Sequence, residues 1–146
     1  MFKHILFATD GSSASEHASQ MAINMARAHG SHLTVVYVID PYPYMGGNEM
    51  NIVGFESYME SGRKHAERAF AHINHLASVG GAPIQVKTRL VEDSSVVKAI
   101  LKTAEDEHAK LIMLGSHGRG GLEKLLVGSV AAKVVAHSTK PVMVIR

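Results

Sequence analysis

The chain has 146 residues, of which 46% are hydrophobic and 19% charged, with a formal net charge of +2; this composition predicts one globular domain spanning residues 1–146. The small net charge, the absence of tryptophan and the lack of any apolar run of membrane-spanning length argue against a nucleic-acid or membrane partner. With no cysteine, disulfides and thiolate metal sites are excluded, and without a recognisable signal peptide a cytoplasmic location is expected.

The chain opens with a mostly apolar run at residues 4–9, which predicts a strand buried on both faces and ended by Asp10. Ser13 and Glu16 then have the spacing of a capping box, in which each side chain bonds the backbone of the other. Apolar residues follow at helical spacing, and Gly30 is placed to end this first helix.

The second strand is predicted at residues 33–39, which are rich in β-branched side chains. Residues 41–54 contain several helix and strand breakers and predict the longest loop of the chain. A helix is then expected from about residue 55 to residue 77. Its core face would contain Tyr58, Ala66, Ala69, Phe70, Ile73 and Leu76.

Residues 84–90 alternate between apolar and polar side chains, which predicts a strand at the edge of a sheet with one face in water. Asp93 or Ser94 would cap the next helix. The apolar run at residues 111–114 predicts a fourth, buried strand. The inward side chains of the intervening helix would be Val97, Ile100, Leu101 and Ala104.

A last helix is predicted from Ser129 to about His137, and a last strand at residues 141–145. Alternation of strands and helices predicts an α/β fold, a doubly wound parallel sheet of five strands with helices on both faces. Such a sheet binds ligands at the carboxyl ends of its strands. Asp10, Val38 and Gly115 lie at such ends. If the first and fourth strands are central neighbours, Asp10 and the glycine loop face one crevice.

The stretch from Gly115 to Ser129 is rich in glycine and joins a strand to a helix. Glycines allow close backbone approach, and the first amides of a helix attract anions, so the stretch favours a phosphate and most of all a nucleotide. Ser129 would cap the helix or bind a phosphate oxygen, and Arg119 and Lys124 add positive charge. It is not a P-loop, because no glycine is followed at the required distance by Gly-Lys-Ser/Thr. It is not a dinucleotide fingerprint either, because Glu123 stands where the third glycine should be. The structural alternative is a flexible loop before a capped helix.

Other polar side chains have several interpretations. Asp10 would bind a divalent metal, bond a ribose, or cap the turn that follows it. His117 would donate to a phosphate or act as a general acid, but a solvated side chain is the simpler interpretation. A zinc site at His65, His72 and His75 is disfavoured relative to a solvated helix face.

The glycine spacing resembles that of the universal stress protein family, in which Gly, two residues, Gly, nine residues, Gly and Ser or Thr form a motif. The matching residues here are Gly115, Gly118, Gly128 and Ser129. The resemblance extends to residues 5–12, 38–40 and 140–145, and so to the whole chain. It implies the strand order 3-2-1-4-5 and the ATP-binding branch of the family.

The resemblance also implies a site for ATP, or for ADP or AMP, together with Mg²⁺. The motif residues would surround the phosphates and ribose, with Asp10 beside the nucleotide and the adenine near Ala8 and Val38. The full expected set is Ala8, Thr9, Asp10, Val38, Gly115, Ser116, His117, Gly118, Arg119, Gly128, Ser129 and Val130. Family members commonly dimerise, and the last strand at residues 141–145 is apolar enough for this pairing.

The function expected from these features is that of an adenine-nucleotide-binding regulatory protein of the stress response, whose output is nucleotide-dependent association. One alternative is an enzyme, either a slow ATPase or an adenylyl-transferring relative, although no catalytic residue is predicted because no base is placed to position water. The other alternative is a dimeric interaction module without nucleotide.

Overall fold

A computed structural model of the chain describes residues 1–41, 52–118 and 127–146. Its elements are β1 (His4–Ala8), α1 (Glu16–His29), β2 (His32–Ile39), α2 (Ile52–Ser78), β3 (Val86–Glu92), α3 (Val96–Asp106), β4 (Leu111–Gly115), α4 (Ser129–His137) and β5 (Val142–Ile145). A 3₁₀ turn at Ser13–Ser15 precedes α1. The predicted loop 41–54 extends too far toward the C-terminus, because α2 already begins at Ile52. Residues 42–51 of this predicted loop lie outside the described residues. No helix of the described ranges is both long and apolar enough to cross a membrane.

The five strands form one sheet in the order β3-β2-β1-β4-β5, and every neighbouring pair is parallel. The α/β fold and the strand order are thus confirmed. β1 lies in the centre, where Ile5 is paired with Leu33 on one side and with Leu111 on the other. A parallel inner strand is covered on both faces, which explains why this segment is a nearly continuous apolar run.

The helices cover the two faces of the sheet in pairs. Ile5 and Phe7 pack with α1 and α2, whereas Leu6, which points to the opposite face, packs with α3 and α4. All six residues predicted for the core face of α2 contribute to the hydrophobic packing on their side. Met59, which is only 2% exposed, was not predicted to belong to that face.

The start of α1 differs from the predicted capping box. Residues 13–15 form a 3₁₀ turn, and the N-cap of α1 is Ser15, whose side chain makes no capping hydrogen bond. Instead, the buried Ser15 hydroxyl donates to the Ser12 carbonyl at 2.7 Å and lies 3.2 Å from the Thr9 hydroxyl. The helix therefore begins later because Ser15 is used to hold the end of β1.

The N-cap of α3 is Ser95, so the prediction of Asp93 or Ser94 is wrong. The Ser95 hydroxyl accepts from the Lys98 N–H at 3.3 Å. Asp93 supports the cap from outside the helix, because its carboxylate accepts from the Ser95 N–H at 2.8 Å. Several polar residues stand in a row here, and the geometry of the turn decides which of them caps.

β3 forms an edge of the sheet, as predicted, but runs over Val86–Glu92 rather than residues 84–90. The four residues from Lys87 to Leu90 are all exposed, so more of the strand is in contact with water than the alternation of apolar and polar residues indicated. Lys87 and Arg89 both contact the carboxylate of Glu107, at 2.7 and 3.4 Å. Charges along this edge disfavour pairing with another strand.

Arg27, in the last turn of α1, joins α1 to the end of α2. Its guanidinium donates to backbone carbonyls at the end of α2 and in the turn after it. The acceptors are Leu76, Ala77, Val79, Gly80 and Ala82. The last carbonyls of a helix lack intrahelical donors, so Arg27 supplies the C-terminal cap of α2. Three residues after Arg27, Gly30 ends α1 in the left-handed conformation, as predicted.

Candidate functional site

A cavity of about 350 Å³ opens at the carboxyl ends of β1, β2 and β4, beside the first turn of α4. This volume lies within the range of small-molecule sites. The lining residues are Ala8, Thr9, Asp10, Ser15, Val36, Val38, Val96, Ile100, Leu114, Gly115, Ser116, His117, Gly118, Gly128, Ser129, Val130 and Ala131. The cavity therefore lies where a doubly wound sheet is expected to hold its ligand.

The structure brings together eleven of the twelve residues expected from the sequence, all of which line this cavity. The twelfth, Arg119, lies outside the described residues, as does Lys124. The sequence did not identify Ser15, Val36, Val96, Ile100, Leu114 and Ala131 as site residues. Of these, Ile100 was predicted to face inward from its helix, and this inward direction was the sequence feature that could have identified it as a lining residue.

The polar end of the cavity is the N-terminus of α4. The first intrahelical bond runs from the Ala132 N–H to the Gly128 carbonyl at 2.9 Å. The amides of Ser129, Val130 and Ala131 precede it and have no acceptor within the helix. These donors and the helix dipole make the end of α4 suited to an anion.

Ser129 does not cap α4, contrary to one of its two predicted roles. The N-cap is Gly128, and Ser129 is the first helical residue. Its side chain is exposed and lines the cavity. Ser129 is therefore a residue of the cavity lining and not the cap of α4.

The motif glycines differ in the contacts that a Cβ would make, with backbone at Gly128 and with a side chain at Gly118. The Gly128 N–H donates to the Ser116 carbonyl at 2.6 Å, and a Cβ at position 128 would lie 2.8 Å from that same oxygen. A Cβ at Gly118 would lie 2.8 Å from a carboxylate oxygen of Asp10. Gly115 is different, because its nearest neighbour would be 3.5 Å away, at an ordinary contact distance. Part of the motif thus serves to close the loop on itself.

Asp10 caps the turn after β1, which is one of the three roles considered for it. One carboxylate oxygen accepts from the Ser12 N–H at 3.0 Å. The Thr9 hydroxyl accepts from the Gly11 N–H at 3.1 Å, and Gly11 has φ of 70°. The other carboxylate oxygen lies toward Gly118, so Asp10 stands between the turn and the glycine loop.

His117 is directed inward, and the prediction of a solvated side chain is wrong. Its Nδ1 lies 2.9 Å from the hydroxyl of Ser116, which is itself only 4% exposed. Its Nε2 is buried and has no hydrogen-bond partner within residues 1–41, 52–118 and 127–146. A buried polar atom without a partner costs free energy, and a ligand group in the cavity would relieve that cost.

A second part of the cavity lining is apolar. Val36 and Val38 come from β2, Leu114 comes from β4, and Val96 and Ile100 lie one turn apart on α3. This end suits a flat, weakly polar group such as a heterocyclic ring. The cavity therefore combines an apolar wall with an anion-binding end.

The described residues contain no cluster of three or more histidine, aspartate or glutamate side chains that would hold a metal ion. His65, His72 and His75 are exposed on α2 and are not among the residues that line the cavity. The titratable side chains among the described cavity residues are Asp10 and His117.

Comparison with known proteins gives a consistent result. The family model described as "Universal stress protein family" matches residues 1–146. A universal stress protein of Thermus aquaticus is 34% identical over 146 residues, covering all of both chains. The solved structure of the universal stress protein UspA from Lactobacillus plantarum has a TM-score of 0.86 and 26% identity, covering 99% of this chain and 98% of that one.

Two more distant solved structures contain nucleotides. A universal stress protein from Archaeoglobus fulgidus in complex with dAMP has a TM-score of 0.67 and 18% identity, covering 100% of this chain and 98% of that one. A universal stress protein in complex with cAMP has a TM-score of 0.62 and 21% identity, covering 99% and 97%. At this identity the two likenesses show a common fold.

The contrast between Gly128 and Gly115 predicts unequal effects of the same substitution. Gly128→Ala should destabilise the protein by about 1–3 kcal/mol, because the new methyl group overlaps the Ser116 carbonyl. Gly115→Ala, the matched control on the same loop, should cost less than about 1 kcal/mol. Urea unfolding of both variants measures the difference. Equal free energies of unfolding for the two variants would contradict the close approach seen at Gly128.

Proposed function

Because the chain belongs to the universal stress protein family, we propose that it binds an adenine nucleotide in the cavity at the carboxyl ends of β1, β2 and β4. The observation that carries this proposal is the joining, in one cavity, of an apolar wall and the open amides of α4. The apolar wall suits the base of a nucleotide, and the open amides suit its phosphates. The dAMP and cAMP complexes of two proteins with this fold support the choice of adenine.

The phosphates would lie at the first turn of α4. Ser129 and Val130 line the cavity, and their amides and the Ser129 hydroxyl are the donors proposed for the phosphate. The buried Nε2 of His117 is a further group whose hydrogen-bonding capacity is unmet within the described residues. A phosphate oxygen at this end would satisfy several donors at once.

The adenine would lie against the apolar wall. Val38 is half-buried at the end of β2, and Val96 is half-buried at the start of α3. Burying the ring between them removes apolar surface from water on both partners. The ribose would then lie between this wall and the glycine loop, near Asp10.

Mg²⁺ is proposed to bind with ATP rather than alone. Mg²⁺ in nucleotide sites is held by phosphates, water and one or two carboxylates. Asp10 is the carboxylate that lines the cavity among the described residues, and one of its oxygens already serves the Ser12 amide. Its second oxygen, which lies toward Gly118, is the one proposed to reach the ion.

The proposed output is regulation through association rather than catalysis. β5 is an edge strand, and its residues Val142, Met143 and Val144 are partly buried within one chain. Pairing of β5 with a second copy would cover them and extend the sheet. The cavity is near this edge, because the Ser116 N–H donates to the Ile145 carbonyl at 2.6 Å.

Titration calorimetry of ATP with Mg²⁺ into the purified chain tests nucleotide binding. We expect saturable binding that Ser129→Ala weakens about tenfold, because one hydrogen bond to a charged phosphate is lost. Ser61→Ala, a control at an exposed serine of α2, should leave the affinity unchanged. If neither the wild type binds nor denatured protein releases any nucleotide, the proposed function is wrong.

Asp10→Asn tests the metal role of Asp10. The amide oxygen of asparagine can still accept from the Ser12 N–H, so the turn and the thermal stability should be preserved. We expect Mg²⁺ to tighten ATP binding in the wild type and this gain to shrink about tenfold in the variant. Calorimetry in Mg²⁺ and in a chelator measures both gains. The same Mg²⁺ dependence in both proteins would exclude the metal role of Asp10.

Sedimentation velocity over a range of concentrations tests association. We expect a species of twice the mass of one chain, whose dissociation constant changes when ATP and Mg²⁺ are present. A protein that stays monomeric at every concentration, with nucleotide bound, would refute the proposed output without affecting the binding proposal.

A further inference from the structure

Four of the ten histidines of the chain lie around the amino end of β1, at the opposite end of the sheet from the cavity. His4 is the first residue of β1 and is paired in register with His32, the first residue of β2. His29 meets the ring of Phe2 edge-on, with the ring centroids 5.8 Å apart. His108 lies in the turn between α3 and β4. We call these four side chains the amino-end histidines.

His4 is held against a buried hydroxyl and a second imidazole. Its Nε2 lies 2.8 Å from Oγ1 of Thr34, a residue of β2 that has no exposed surface. Its ring meets that of His32 edge to face, with the centroids 6.4 Å apart. A proton gained by His4 would therefore place a positive charge in a partly buried position, beside a group that can carry a charge of the same sign.

The other charged groups near His4 come from β3 and from the end of α3. Burial is the main cause that lowers the pKa of His4 from its ordinary value of about 6.5, and the nearby charges of His32 and Lys87 act in the same direction. His108 also lowers this pKa, whereas the carboxylate of Glu107 raises it. That carboxylate is already bonded to Lys87 at 2.7 Å and is only 8% exposed. The net direction is downward, so the folded chain keeps His4 neutral more readily than the unfolded chain does.

The main chain at His4 is bonded to both neighbouring segments. The His32 N–H donates to the Lys3 carbonyl at 3.0 Å, and the Lys110 N–H donates to the His4 carbonyl at 2.8 Å. These two bonds hold the start of β1 to the start of β2 on one side and to the start of β4 on the other. If the His4 side chain turns outward to be hydrated, it pulls on the backbone that makes both bonds.

We propose that the amino-end histidines form an acid-sensitive lock on β1, which is closed while His4 is neutral and opens when His4 gains a proton. Protonated His4 leaves the Thr34 hydroxyl for water, and the first pairings of β1 with β2 and β4 loosen with it. The contribution of His4 to stability is fully present above about pH 6.5 and is lost as the pH falls below that value, because the unfolded chain then binds this proton more readily. The lock lies outside the cavity, so it does not depend on the proposed nucleotide.

The test compares the full chain at about pH 7.5 and about pH 5.5, on either side of the ordinary histidine pKa. Urea unfolding measures stability, and amide hydrogen exchange, corrected for its intrinsic pH dependence, measures local opening at His32 and Lys110. The internal reference is the Thr9 amide, which is bonded at the other end of β1. The variant is His4→Gln, whose side-chain amide can still bond the Thr34 hydroxyl but does not titrate. The control is His72→Gln, at an exposed histidine of α2.

Between the higher and the lower pH, we expect the unfolding equilibrium constant of wild type and control to rise about threefold more than that of His4→Gln. Exchange at His32 and Lys110 should rise relative to Thr9 in wild type and control, and not in the variant. An equal acid response of wild type and His4→Gln, or exchange that rises equally at all three amides, overturns the lock.

Nuclear magnetic resonance titration of the histidine ring protons of the wild type gives a result that does not depend on the folding of any variant. The His4 ring should gain its proton at a lower pH than the exposed His72 ring. A His4 ring that titrates together with His72, or at a higher pH, likewise overturns the proposal.

Discussion

The parallel pairing of β1 with β4 is the contact on which the rest of the structure depends. From β1 the chain proceeds to β2 on one side, and from β4 it proceeds to β5 on the other. Because the connections diverge, a crevice opens above the two central strands. The register that pairs Ala8 with Leu114 sets Thr9 beside Gly115, so the turn after β1 and the glycine loop meet there. The cavity is a consequence of this topology before any side chain is considered.

Most of the fold was predictable because buried parallel strands leave a strong pattern of apolar runs, and the strand order followed from the family resemblance. The errors fall where tertiary contacts decide between local alternatives. Ser15 is drawn into contact with Thr9, so α1 starts later than its capping box indicated. Ser95 caps α3 although Asp93 was an equally suitable capping residue, because Asp93 accepts from the Ser95 amide instead. Propensity alone does not rank such neighbours.

The residues of the candidate site were likewise predictable from the sequence only in part. Residues that follow β1 and β4 were predictable, because a strand end places them at the crevice whatever their side chains do. Val96 and Ile100 were missed as lining residues because they arrive on α3, and the approach of a helix depends on packing across the whole face. The inward direction of His117 was also missed, since a glycine-rich stretch does not determine where the side chains between its glycines point.

Arg27 couples the end of α2 to α1. Its guanidinium holds the carbonyls at the end of α2 from its position on α1. Fraying of α2 at that end would strip several acceptors from one cation, so local unfolding there must separate two helices at once. Amide hydrogen exchange at the end of α2 is therefore tied to the integrity of α1.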